Sequence, residues 1–411
     1  MKKLALLLAS LALTLLAAGC GGQGSSADYP ADFKVTPGDG AVVVTWTAQP
    51  DIEYWIFFGP GSGITTSNWT TAGGSVIPNA MSPRVITGLV NGKTYSFTIN
   101  ARKNGGPGGS GAPTQVAVPQ LAGANWAVGT PLGAGSLNGI AVGNVFGGSA
   151  NVTVGANGTI FTSIGGAATT TPTNPAVPAD LNAVWYAALG FVAVGTNGTI
   201  LHSIDATTWT AQASGTTAAL FGGTSLGTGG YVAAGAAGTL VGSTDGLTWA
   251  ALASGTTENL YAATFGSTRY VAVGANGTIT ATGDAGVWGV VPSGTTNDLR
   301  GVAYAAIATT VGTDTVVTNT YVAVGAAGTV LTSGDGLAWT VQAPIATEDL
   351  TAVVYGGQFV AVGKAGRIFT SPDGVTWQAR TSGTTNDLRA VARTLSGYTA
   401  VGDMGTNVSS F

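Results

Sequence analysis

The side chains that could do chemistry in this sequence are few and widely spaced. Lys, Arg, Asp and Glu make up 8% of 411 residues, against about 25% in ordinary soluble domains. One pattern recurs five times: Ser or Thr, then Asp two residues on, then Trp four residues after the Asp. Its acidic members are Asp205, Asp245, Asp284, Asp335 and Asp373. An Asp so placed can accept backbone N–H bonds inside a hairpin, while Gly supplies the unusual dihedral and Trp caps the fold. That is turn chemistry, not catalysis. Glycoside hydrolysis needs two carboxylates flanking one bond. The repeat region offers Glu258 and Glu348 as its glutamates and scatters Arg269, Arg300, Arg367, Arg380, Arg389 and Arg393 along its length. No pair can be assigned to a shared pocket, so no catalytic residue is assigned. His202 is the only histidine, and one His without a thiol partner makes a poor metal site. No metal and no cofactor is expected.

The elements that carry these residues form a repeat. One unit runs through Leu181 to Tyr186, Phe191 to Gly195, Thr199 to Ser203 and Thr208 to Thr210: four strand-like runs with three turns between them. The glycine opening the central turn recurs at Gly155, Gly195, Gly235, Gly274, Gly325, Gly363 and Gly402. Successive spacings are 40, 40, 39, 51, 38 and 39 residues. A four-strand repeat of about 40 residues is a β-propeller blade, and seven turns imply seven blades. The last unit stops at Phe411 without a Trp-bearing fourth strand, and Asn125-Trp126-Ala127-Val128 supplies a matching run before the first unit. Pairing the two would close the ring and remove exposed edges. The spacing of 51 reflects about twelve extra residues centred on 308–319, an extended loop on one face.

The Asp-and-Trp pattern resembles the Asp-box of sialidase-like propellers, with an Asp-to-Trp spacing one residue shorter than that family's. A sialidase would also need an arginine cluster, a glutamate-activated tyrosine and an acid/base aspartate, which this chain does not visibly assemble. The repeat also resembles the lipoprotein-anchored, seven-bladed photosystem II assembly factors of cyanobacteria. That family uses a basic patch, and this chain is arginine-poor.

A ligand is expected where loops lead into the innermost strands. There Asn297-Asp298-Leu299-Arg300 and Asn386-Asp387-Leu388-Arg389 are near-identical. The equivalent loops bring Asn182, Phe221, Tyr261 and Asp349 to similar places, and the central turns add Lys364. The candidate binding face is therefore Asn182, Phe221, Tyr261, Asp298, Arg300, Asp349, Lys364, Asp387 and Arg389, opposite the Asp-boxes. The repeated Gly-x-Asn-Gly-Thr segments are hairpin turns in which Asn-Gly provides positive φ, not nucleotide-binding loops.

Ahead of the propeller, residues 29–119 read as a small β-sandwich. Val42-Val43-Val44-Thr45-Trp46 and Tyr54-Trp55-Ile56-Phe57-Phe58 are strands, and Tyr95, Phe97 and Ile99 alternate inward after a turn at Gly92. Trp46, Leu89 and Tyr95 resemble the core tryptophan and tyrosine corner of fibronectin type III domains, which implies a spacer. Residues 1–20 begin with two lysines and an apolar run and end Leu16-Ala17-Ala18-Gly19-Cys20. They have the form of a secretory signal peptide, and their end resembles a bacterial lipobox. That resemblance implies lipidation at Cys20, the only cysteine, followed by a flexible tether over 21–28. Gly21 implies an outer membrane as destination. The net charge of −4 without a basic cluster argues against nucleic acid. The expected partners are a membrane, through the lipid anchor, and a protein or glycan. The expected role is a binding or scaffolding module of the cell envelope, with a glycoside hydrolase or an assembly factor as alternatives.

Overall fold

The computed structural model describes residues 24–171, 179–187, 189–225, 230–267, 269–283, 286–311, 314–395 and 397–410. Cys20, its leader and Asp284 lie outside them. No helix among the described residues is long and apolar enough to cross a membrane. The chain forms two compact units that meet in sequence between Leu121 and Ala122.

The first unit is a β-sandwich. One sheet holds Lys34–Gly38, Ala41–Thr45 and Arg84–Thr87; the other is built on Ile52–Pro60 and Tyr95–Lys103. Alternation puts Val42, Val44, Ile56, Phe97 and Ile99 into one core, with Trp46 and Tyr54 in contact at a ring separation of 5.5 Å. The Tyr95 hydroxyl accepts the Val90 N–H at 3.1 Å, fixing the turn before its strand. One expectation is corrected here. Ser25–Ala27 falls in the supposed tether but forms a strand paired with Ala101 to Lys103. The cause is an unsatisfied edge: Gln115–Ala117 pairs only with the first part of Tyr95–Lys103, and the remaining N–H and C=O groups need partners.

The second unit is built of antiparallel sheets that follow one another in chain order, seven of them among the described residues. Six have four strands, as in Leu181–Ala187, Gly190–Gly195, Ile200–Ser203 and Thr210–Gln212; the first has three among the described residues. Each sheet packs its innermost strand on that of the next, and Leu388–Arg393 of the seventh packs on Leu137–Val145 of the first. This is a β-propeller. The outer strand of the seventh sheet is Trp126–Val128, which pairs with Asn407–Ser410 in the register Ser410↔Trp126. The chain thus staples its last sheet with residues from before its first. The fifth sheet carries the extra residues as an arm, Leu299–Val311 paired with Asp314–Gly325.

The junctions between sheets follow one plan, read from the second strand. Four residues before the turn glycine stands a ring that reaches back to the preceding sheet: Phe191, Tyr231, Tyr270, Tyr321, Phe359 and Tyr398, each at most 4% exposed. The hydroxyls of Tyr270 and Tyr398 donate to the carbonyls of Gly230 and Gly356 in that sheet, at 3.4 and 2.8 Å. Burying such a ring contributes roughly 1.5–3 kcal/mol. Two residues before the glycine the side chain must be small, and alanine stands at 193, 233, 272, 323, 361 and 400, every one fully buried. At the glycine itself the neighbouring chain comes so close that a Cβ on Gly195 would lie 2.1 Å from the Asp180 carbonyl.

Candidate binding face

Two positions of each repeat unit build the end of the propeller at which the loops enter the innermost strands. The first is the residue after the opening leucine. In all seven sheets the register slips there by one: between Leu137 and Gly139, Leu181 and Ala183, Leu220 and Gly222, Leu260 and Ala262, Leu299 and Gly301, Leu350 and Ala352, and Leu388 and Ala390. A bulge of this kind leaves one residue out of the ladder and re-aims its side chain. The bulged residues are Asn138, Asn182, Phe221, Tyr261, Arg300, Thr351 and Arg389.

They divide by chemistry. Asn138, Asn182 and Thr351 bond to the carbonyl of the next sheet's opening leucine, at 3.0, 2.8 and 2.6 Å. Asn182, expected on the binding face, is therefore occupied in holding two sheets together. Phe221, Tyr261 and Arg300 follow one another on three consecutive sheets. The two rings lie 5.7 Å apart, and the Arg300 guanidinium carbon sits 5.7 Å from the Tyr261 ring centroid. Arg300 Nη2 reaches Asp298 at 3.3 Å and Asp349 at 3.8 Å, while its Nε is buried with no hydrogen-bond partner among the described residues. Arg389 grips Asp403 with Nε at 2.5 Å and Nη2 at 3.2 Å.

The second position precedes the leucine. In five sheets its side chain bonds the middle residue of the preceding sheet's central turn, which has φ near +55°. Oδ1 of Asp180, Asn259, Asp298, Asp349 and Asp387 accepts the N–H of Asn157, Ala237, Asn276, Ala327 and Ala365, at 2.8 to 3.1 Å. These residues clip neighbouring sheets together. Asp298, Asp349 and Asp387 of the candidate face thus have a structural task on one oxygen. Lys364 Nζ takes Oδ2 of Asp349 at 2.7 Å. That bond, followed by the Ala327 N–H, holds the Asp349 carboxyl below its usual range. Nearby, the Arg367 guanidinium 2.6 Å from Glu348 lowers that carboxyl to about 2. The spacing of Asp and Leu made the loops visible in sequence. The bulge did not show there, because it is a property of pairing.

At the opposite end the Asp-boxes are local devices. Asp373 Oδ1 accepts the N–H groups of Val375 and Thr376 at 2.8 and 2.7 Å and the Ser371 hydroxyl at 2.9 Å, and Trp377 Nε1 donates to the Gly374 carbonyl at 3.0 Å. Asp205, Asp245 and Asp335 repeat the arrangement. Burial raises the Asp205 and Asp373 carboxyls, but the N–H groups outweigh it and both are lowered. His202 is buried, with Nε2 3.0 Å from the Leu189 carbonyl.

No family model and no curated protein sequence matches the chain. Its fold is shared by solved β-propellers. YCF48 bound to D1 peptide is 16% identical, with a TM-score of 0.54 over 69% of this chain and 96% of that one. YCF48 from Cyanidioschyzon merolae is 14% identical, with a TM-score of 0.52 over 70% and 98%. Virginiamycin B lyase from Staphylococcus aureus is 12% identical, with a TM-score of 0.57 over 69% and 98%. At these identities the likeness is one of fold.

Proposed function

We propose that this chain is an exported lipoprotein, anchored through Cys20 to an outer membrane, whose seven-bladed propeller binds a protein partner without catalysis. The fibronectin type III-like unit acts as the spacer. The observation that carries the reading is the row of bulged residues Phe221, Tyr261 and Arg300 on three adjacent sheets, two neighbouring rings ending in a half-exposed guanidinium. Two rings beside a half-exposed guanidinium suit an extended peptide, whose side chains pack and whose carbonyls accept from it. The same end carries the carboxylates Asp180, Glu258, Asp298, Glu348, Asp349, Asp387 and Asp403 against the cations Arg300, Lys364, Arg367 and Arg389. That balance favours a partner segment with a basic residue. That a propeller of similar fold was solved with a peptide bound supports the partner class.

One observation speaks for a glycoside hydrolase: Asp298 and Asp349 both approach Arg300 Nη2. Against it, the guanidinium sits where a scissile bond would have to lie. Asp349 is also lowered, the reverse of the raised carboxyl that a general acid requires.

The test is cross-linking in native envelopes with wild type, Tyr261→Ala/Arg300→Ala and a control altered at the Asp-box end, Leu337→Ser. The same protein should cross-link to wild type and control and be lost from the double variant. Unchanged cross-linking in the double variant overturns the face, and release of Cys20→Ala from membranes checks the anchor.

A further inference from the structure

The plan that builds six junctions of the ring is broken at the seventh, between the last sheet and the first. Four repeat positions show it. The aromatic position four residues before the turn glycine holds Asn151, and the alanine position holds Thr153. On the facing wall, three residues before the glycine, six sheets have valine (152, 192, 232, 271, 322 and 360) and the seventh has Thr399. Five residues after the glycine six sheets have an aliphatic residue (Ile160, Ile200, Leu240, Ile279, Val330 and Ile368) and the seventh has Asn407. All four exceptions line one cavity of about 140 Å³, whose lining also includes Phe161, Ser163 and Ser409. The Thr399 and Ser409 hydroxyls stand 3.1 Å apart. Asn407 Oδ1 is buried without a hydrogen-bond partner among the described residues.

Replacing an aromatic, an alanine, a valine and an aliphatic residue by hydrogen-bonding groups works against packing. Drift at four unrelated positions would not converge on one space. From this convergence we propose that the seam is a small-molecule site for a neutral, polyhydroxylated ligand of monosaccharide size. The lining has amides and hydroxyls but no charged side chain, so an ionic ligand would find no counter-charge. The Phe161 ring supplies an apolar wall for the C–H face of a sugar, while Asn151 and Asn407 can each donate to and accept from its hydroxyls. The volume is below the roughly 300–1,000 Å³ of drug-sized pockets and suits one ring, not a chain. This site does not depend on the binding face proposed above.

The experiment is saturation-transfer NMR on the full chain with glucose, galactose, N-acetylglucosamine and glycerol as probes. At least one sugar is expected to bind with Kd of about 1 mM. Asn151→Phe and Asn407→Leu, which restore the residue types of the other junctions, should weaken it at least about tenfold and should not lower Tm. Thr399→Val, the mildest change, should weaken binding with the fold intact, and Tyr261→Ala should leave it unaltered. Absence of saturable transfer from wild type to every probe overturns the proposal, as does binding that survives both Asn variants. In either case the seam is a hydrated packing defect.

Discussion

The two ends of the propeller use the same side chain for opposite purposes. At the Asp-box end a carboxylate satisfies N–H groups two and three residues further along its own hairpin. At the other end an Asp or Asn satisfies an N–H of the neighbouring sheet, 22 or 23 residues earlier in the chain. The first arrangement makes each sheet a self-contained unit; the second makes sheets into a ring. The difference also explains where charge is left over. Asp-box carboxylates draw chiefly on backbone dipoles, whereas Asp349, Asp403 and Glu348 draw first on Lys364, Arg389 and Arg367.

The largest expected effect comes from acid, which acts on both ends at once. Each of these carboxyls has a folded pKa below its unfolded value. Its contribution is therefore complete only above the unfolded value, 3.8 for the Asp residues and 4.5 for Glu348, and is lost as pH falls through the folded values, of which Glu348's is about 2. The transition should begin below about pH 4, followed by circular dichroism. The two ends should separate when salt is added: the Asp373 titration, read by NMR, should hardly move, and those of Asp349 and Glu348 should rise toward ordinary values as their ion pairs are screened. Equal shifts at both ends would erase the distinction.

Single substitutions rank next. Asp205→Ala strands two backbone N–H groups and should cost about 2 kcal/mol in urea unfolding. Asp387→Ala strands one, that of Ala365, and should cost about 1 kcal/mol. A larger loss at Asp387 than at Asp205 would mean that the ring, not the hairpin, limits stability. The smallest effect is a gain. Ala219 stands at the clip position with no side chain to reach the turn at Asn197, so Ala219→Asp should add roughly 0.5–1 kcal/mol. No gain in Tm would show that the clip needs more than a carboxylate in place.

Much of this architecture was legible in the sequence because it is written in local spacings. Gly155 to Gly402 marked the turns, and the Ser-x-Asp pattern before Trp marked hairpins whose bonds close within a few residues. Asn157, Asn197 and Asn276 announced left-handed turns, although Ala237, Ala327, Ala365 and Met404 adopt the same φ without that signature. The candidate face was legible only in outline. Arg300 and Lys364 could be placed at one end, but Asn182 could not be distinguished as a tie between sheets, because its partner, the Leu220 carbonyl, lies 38 residues away.

The repeat, its turns and its hairpin caps could be read from residue order alone, because all are products of interactions within a few residues. Which side chains those units left free was set by the packing of sheet on sheet. The bulge after each opening leucine exists in strand pairing, the clips exist between sheets, and the polar seam exists where the ring's ends meet. Each depends on atoms brought together from separate repeats, and pairing between distant segments is what a linear pattern does not record.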